Sequence, residues 1–283
     1  MIMNMTYGGG AKQEFGFTYT GDYTDRLITY NSETYRLLTF TSSGTFTPNQ
    51  SFVGDIWLCG GGGNGAGSGA KYSSFSHTYS GGGGGGGYAE SVNSYIFGMQ
   101  AYPIIVGAAG ETSSIAGYSA NPGESGTYDG GGDGGSGGGN GWISLEEQAV
   151  GSGQGVSTIP FNDSANFEPH CGGGGGGALY VVYASSTRII NGGDGGSNGE
   201  NGAIGQSVGG GSRGGSGGNK GGGVGGASSS STSSDARDGA DATYYGGGGG
   251  GAGVYASSSS DTERYGNGGS GYQGIVYVRI KQQ

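Results

Sequence analysis

The sequence predicts a mainly β fold: a β-sandwich carrying an inserted bundle of polyglycine II helices, with almost no α-helix. Three observations predict it. Strong strand signals stand in the first third of the chain and at its end, and they bracket everything else. Between them glycine forms uninterrupted runs at Gly81–Gly87, Gly172–Gly177 and Gly246–Gly251. One short segment alone has helical character.

The runs organise the chain. Glycine is 77 of 283 residues, roughly four times its usual share of about 7%. Looser runs cover Gly130–Gly141, Gly192–Gly202 and Gly209–Gly226. A run without side chains builds no hydrophobic core and loses the most backbone freedom on ordering. It either stays disordered or pairs its own N–H and C=O groups with neighbouring runs. The second alternative is expected here. An extended left-handed threefold helix has no internal hydrogen bonds and rises about 3.1 Å per residue. Its donors and acceptors point outward and need partners. Antiparallel helices packed side by side supply them, and Cα–H···O contacts add a smaller term. One net hydrogen bond contributes only about 0.5–1.5 kcal/mol, so many runs must pack together.

The strands follow in order. Residues 1–34 read as an attachment segment or an edge strand, with Phe15–Thr20 alternating. Residues 35–283 read as one glycine-rich domain. Its strands fall within 35–59, 88–106 and 274–281. Tyr35–Thr41 is rich in β-formers, and Ser42-Ser43-Gly44 turns into Thr45–Pro48. Phe52–Cys59 and Gly274–Lys281 carry apolar residues on both faces, which predicts burial on both sides. In Ala101–Val106, Pro103 belongs at an edge or a strand start. The helical segment is Trp142–Ala149, where Ser144 and Glu147 match a capping box; one or two turns is its limit. Cys59 and Cys171 each stand directly before a glycine run. They read as small buried residues closing a strand, with a disulfide as the alternative, because sequence cannot set connectivity.

Composition narrows the function. Hydrophobic residues are 31%, so the 20 tyrosines and 9 phenylalanines must fill much of a small core. A net charge of −10 argues against a nucleic-acid surface and against docking on anionic lipid. No apolar run is long enough to span a membrane, and Met1–Thr6 lacks the charged and apolar regions of a signal peptide. Glycine this frequent also manufactures motifs. Gly-x-Ser-x-Gly occurs four times, at Gly134–Gly138, Gly195–Gly199, Gly210–Gly214 and Gly214–Gly218, never between a hydrophobic strand and a helix. The phosphate-loop pattern fails at Asn219 before Lys220. Asp129, Asp133 and Asp194 lack the fixed period of calcium-binding repeats and read as solvated turns. His170 beside Cys171 has no second ligand pair at metal spacing. No enzyme activity, cofactor or metal is expected.

Between the runs lie segments rich in Tyr, Ser and Asn: Lys71–Ser80, Tyr118–Pro122 with Tyr128, Leu179–Ser186, Ser228–Tyr245 and Val254–Tyr265. This is the composition of binding loops, where Tyr gives rigid contact area and Ser and Gly adapt. Runs that pass up and down would place one set of these segments at one tip. The candidate contacts are Tyr72, Phe75, His77, Tyr79, Tyr180, Tyr183, Tyr255 and Tyr265.

Thr39–Pro48, Asp55–Gly63, Gly81–Ser91, Ile105–Gly107 and Gly271–Arg279, in that order, resemble the glycine-rich domain of phage and prophage tail proteins over roughly residues 35–283. The domain is similar in kind to the glycine-rich region of the anaplastic lymphoma and leukocyte tyrosine kinase receptors, where glycine helices pack beside a jelly-roll-like β unit. It is also similar to the tip adhesins of long tail fibres in T-even-type phages. The resemblance implies a jelly-roll-like sandwich and a virion protein made in the host cytoplasm. Its expected partners are a bacterial surface protein or glycan and other tail proteins, as one copy or a homotrimer. Residues 1–34 depart from the fibre-attachment domain of those adhesins. The alternative is a structural tail or capsid-decoration subunit; an ice-binding or matrix protein fits less well, because ice favours flat faces of small residues.

Overall fold

β-forming and apolar residues in the first third of the chain and near its end form two packed antiparallel sheets. The computed structural model describes residues 15–70, 78–128, 130–143, 146–183, 186–205, 213–218, 221–226, 236–257 and 262–282. The strands run β1 (Phe17–Tyr19), β2 (Tyr23–Tyr30), β3 (Glu33–Phe40), β4 (Gly44–Pro48), β5 (Phe52–Cys59), β6 (Gly69–Ala70), β7 (Thr78–Tyr79), β8 (Ala89–Phe97) and β9 (Tyr102–Ile105). They continue with β10 (Ser113–Ile115), β11 (Tyr118–Ala120), β12 (Trp142–Ile143), β13 (Glu146–Glu147), β14 (Leu179–Tyr183), β15 (Ser186–Ile190), β16 (Val254–Ser257), β17 (Thr262–Tyr265) and β18 (Ile275–Lys281). Strand makes up 36% of the structure and helix 1%, so the fold is mainly β.

One five-stranded sheet has the order β2-β3-β18-β5-β8, the other β1-β4-β9-β10-β11. Residues 15–30 therefore belong to the sandwich, with β1 and β2 as edge strands. The last strand sits at the centre of its sheet, with Val276 opposite Phe40 and Leu58, and Val278 opposite Leu38 and Ile56. These residues face Phe46, Ile104, Ile115 and Ala120 of the second sheet in one buried cluster. Aromatic rings fill much of it: Phe46 and Phe97 lie edge to face at 5.9 Å, and Phe52 stacks on Phe97 at 4.6 Å. The apolar reverse face of β3, β5 and β18 is covered too. Leu37, Trp57, Ile275 and Tyr277 pack under Phe161 and Phe167, which explains why these strands read as apolar on both sides. β9 is an interior strand. Its ladder to β10 pairs Ile104 and Ile105, leaving Pro103 outside it, which is how a proline is tolerated there.

Among the described residues the glycine runs form no strands, yet their main-chain groups pair between runs. All seven residues of Gly81–Gly87 are buried. Their N–H groups rotate among three neighbours. Gly81, Gly84 and Gly87 donate to Ala252, Gly249 and Gly246; Gly82 and Gly85 to Thr127 and Glu124; Gly83 and Gly86 to Gly139 and Ser136. The carbonyls rotate among three more. Gly81 and Gly84 accept from Gly177 and Gly174, Gly82 and Gly85 from Ala66 and Gly63, and Gly83 and Gly86 from Gly132 and Gly135. Each third residue returns to the same neighbour. A buried, unpaired main-chain group costs about 1–3 kcal/mol, so a run buried throughout is stable only when paired throughout.

The three longest runs close a ring. Gly81–Gly87 donates to the third run, whose Gly248 and Gly251 donate to Gly172 and Gly175, and Gly174 and Gly177 donate back to Gly84 and Gly81. The expectation of antiparallel packing holds only in part, because Gly172–Gly177 and Gly246–Gly251 run parallel. Among the described residues four aspartates take over an acceptor role between segments of the glycine region, Asp238 accepting from Asn267 N–H. Asp133, Asp194 and Asp241 accept from the N–H groups of Ser152, Ser216 and Ser270. Asp133 and Asp194 are thus not merely solvated turns; Asp129 lies outside the described residues.

The ring also fixes which end is which. Gly60, Gly87 and Gly246 lie at the level of the sandwich, whereas Ala66, Gly81, Gly177 and Ala252 lie at the other end. At the sandwich end Cys59 and Cys171 are buried and free. A Cβ on Gly246, whose φ is +69°, would come within 2.9 Å of Cys171 Sγ and 3.0 Å of Cys59 Sγ. Burial, and then the neighbouring Cys59, push the Cys171 thiol well above its ordinary pKa. Because both side chains are buried, and the thiolate that would react is disfavoured at Cys171, iodoacetamide should leave both cysteines unmodified in the native protein and label both after denaturation, as read by mass spectrometry. Native labelling would contradict this placement.

Candidate functional site

At the far end of the bundle side chains return to the sequence, and the runs turn into short strands. Gly248 and Gly251 donate to Gly172 and Gly175, and three residues on Val254 donates to Ala178. From there β16 pairs in parallel with β14, Tyr255 opposite Tyr180. Leu179, Val181, Ile190, Val254 and Ala256 bury one face, with Trp142 packed against them. The strand period of two therefore sends Tyr180 and Tyr255 to the other face. A second small sheet, β13-β12-β7-β6, lies beside it. Ser68 ties the two together, donating to Gly253 O at 2.7 Å and accepting from Gly266 N–H at 2.8 Å.

The expected helix at Trp142–Ala149 is not formed. Trp142 and Ile143 pair with Glu147 and Glu146 as a strand turn. Trp142 O accepts from Ser80 N–H, and the Gln148 amide donates to Ser80 O. Pairing with β7 outweighs a capping signal worth about 1 kcal/mol.

The structure brings together part of the predicted contact set. Tyr79 is half-buried and lies 5.5 Å from Tyr128, which is 41% exposed. Tyr265 is 43% exposed and its hydroxyl donates to the Glu263 carboxylate. Burial first, then Glu263 and nearby Tyr79, raise its pKa well above the usual phenol range. Tyr265 therefore stays a neutral donor at any physiological pH. Tyr180 and Tyr255 stack at 5.6 Å with planes 17° apart. Tyr255 is half-buried, but Tyr180 is only 8% exposed and supports its partner rather than offering an open surface. Tyr183 lies in β14, and its side chain is outside the described residues, as are Tyr72, Phe75 and His77.

Parts of two of the Tyr/Ser segments lie elsewhere. Tyr118 is in β11 of the sandwich, and Tyr245 packs around His170 at the sandwich end, stacked at 6.1 Å. Their composition matches the tip segments, so composition could not separate them. Three tip residues went unselected from the sequence: Tyr128, Trp142, and Arg188, whose guanidinium lies 5.9 Å from the Trp142 ring. Only their position beside Tyr79 and β14 reveals them.

The tip thus offers aromatic faces, a phenolic donor and a carboxylate on short, cross-tied strands. That arrangement suits contact with a partner through a few rigid anchors. A family model described as a glycine-rich domain matches residues 41–281. No curated protein matches the chain.

Proposed function

We propose that this chain, which belongs to the glycine-rich domain family, is a phage virion protein, a tail-fibre or tail-tip adhesin that recognises a bacterial surface receptor. The motif order shared with phage and prophage tail proteins supports the phage assignment. The observation that carries the binding role is the separation of the two ends. The sandwich stands at one end, and aromatic hairpins stand at the other on a mutually hydrogen-bonded spacer. We read the runs as polyglycine II helices, since their hydrogen-bond directions repeat every three residues. At about 3.1 Å per residue, Gly246 to Ala252 spans roughly 19 Å. A stiff spacer pre-organises the tip, so less ordering entropy is lost on binding.

The alternative, a structural tail or capsid-decoration subunit, draws on the opposite end. Val53 and Ile96 pair across β5 and β8 and are 54% and 72% exposed, with Met99 at 70% close by. Such a patch suits another virion protein. In the adhesin reading the same patch faces the fibre.

Labelled chain applied to intact host bacteria tests the choice. The adhesin reading expects saturable adsorption, weakened by about 30-fold in Tyr79→Ala, Tyr255→Ala or Tyr265→Ala, the loss of about 2 kcal/mol usual for an aromatic anchor. Binding to purified tails but not to cells would establish the structural subunit instead.

A further inference from the structure

Cationic side chains are scarce, 11 in a chain of net charge −10, and most of those described are already engaged. Arg36 and Arg279 are ion-paired with Asp25 and Asp55, and Lys281 with Glu33. Arg26 and Arg188 lie over aromatic rings. Of the three that are not engaged, Arg213, Arg237 and Arg264, the first two line one cleft. Both are exposed, and among the described residues neither guanidinium has a hydrogen-bond, ion-pair or ring partner. They line one open cleft of about 370 Å³ with Gly214, Val224, Gly226 and Asp238. Among the described residues Asp238 is the one carboxylate in this lining. Its Oδ1 already accepts from Asn267 N–H at 2.6 Å, so the described lining carries two guanidiniums against one carboxylate.

The position of the cleft is set by the bundle. Arg213 O accepts from Gly192 N–H, and Arg213 N–H donates to Asn191 Oδ1 at 2.7 Å. Arg237 O accepts from Gly253 N–H, and Gly226 O from Ala178 N–H. Both arginines are therefore held by their main chains at the tip end, with their side chains unspent. Tyr255 follows Gly253 by two residues and Tyr180 follows Ala178 by two, so the main-chain anchors of the cleft lie two residues along the chain from the stacked pair. Guanidinium forks fit carboxylate and phosphate oxygens in a bidentate way. Val224, 52% exposed in the same lining, offers an apolar surface to the ring face of a sugar.

We propose that the Arg213–Arg237 cleft binds an acidic sugar, a hexose bearing a carboxylate or a phosphate, as part of a surface glycan. The assignment rests on the receptor-binding reading above and names the class of ligand for it. Glucuronate and glucose 6-phosphate distinguish the two sources of the anion, with glucose as the neutral control. Titration of each into the full chain, followed by nuclear magnetic resonance or calorimetry, should show binding of at least one acidic sugar, weakening with added salt, and none of glucose. Arg213→Gln and Arg237→Gln should each weaken it about tenfold, as expected for losing a charge-assisted hydrogen bond. Both side chains are exposed, so the variants should melt as the parent does.

Equal binding of glucose, binding of neither acidic sugar, or undiminished binding by both variants would overturn the proposal. Cell adsorption separates the two readings. Adsorption by a parent chain that binds neither acidic sugar removes the cleft and keeps the adhesin. Sugar binding without adsorption keeps the cleft and removes the adhesin.

Discussion

Gly84→Ala is expected to abolish folding of the glycine bundle, whereas Gly67→Ala is expected to be tolerated. The two changes add the same methyl group to glycines of the same architecture. On Gly84 the new Cβ would lie 2.2 Å from Gly63 O and 2.6 Å from its carbonyl carbon. On exposed Gly67 the only close atom is Gly266 O, at an ordinary 3.4 Å. Near Gly84 the obstacle is main chain, so no side chain can swing aside. Moving the run away from Gly63 would break Gly63 N–H to Gly85 O and Ala66 N–H to Gly82 O, both 2.9 Å. Overpacking alone costs about 1–3 kcal/mol, and each orphaned main-chain group adds about 1–3 kcal/mol. A total of at least about 4 kcal/mol is most of the stability of a marginal domain. Circular dichroism melts and soluble yield measure it. A Gly84→Ala melt within about 2 °C of the parent would refute close packing of the runs.

Acid should destabilise the protein through His170. The ring is buried between Trp57, Tyr244, Tyr245 and Tyr277, with centroids 4.9–6.1 Å away. Nδ1 lies 2.8 Å from Glu168 O, which can only accept, so Nδ1 carries the proton and Nε2 accepts from Tyr277 Oη at 2.9 Å. The neutral ring is fully satisfied. Burial pushes its pKa from 6.5 down to about 4, slightly opposed by the bond to Glu168.

The unfolded chain thus takes up a proton near its ordinary pKa, while the folded chain refuses it until about pH 4. The stability is fully present above the unfolded value, falls as pH drops between the two, and levels off below the folded one. The shift corresponds to roughly 2–3 kcal/mol, after allowing for attraction of an imidazolium to the surrounding rings. Urea midpoints at neutral pH and near pH 4.5 should show this loss, and His170→Gln should flatten it. An equal loss in the variant would assign the acid sensitivity to other groups.

Legibility in the sequence followed the range of the interactions. The sandwich strands were readable because the β-forming, apolar character of stretches within 35–59 and 274–281 is local, and so was burial on both faces of β5 and β18. The tip was readable only as a composition. Tyr79, Tyr255 and Tyr265 lie there, but Tyr118 and Tyr245, from segments of the same character, went to the sandwich end. Tyr180 was selected for contact and is buried beneath its partner. The Ser144–Glu147 signal was a local preference that lost to pairing with β7. Arg213 and Arg237 looked like any two surface charges, because nothing in the order of residues says that they line one cleft.

By itself the sequence determined that runs such as Gly81–Gly87 must satisfy their polar groups with main chain, since a residue without a side chain has nothing else to offer. It also determined that tyrosine and phenylalanine would build the core between the sheets. Tertiary structure alone decided which run lies beside which, whether neighbours are parallel, and which tyrosines reach the far end. The reason is physical: glycine runs are chemically identical to one another. Only the strands and side chains at their ends, such as β14 pairing with β16, and the ring closed by the three longest runs, can give each run its place.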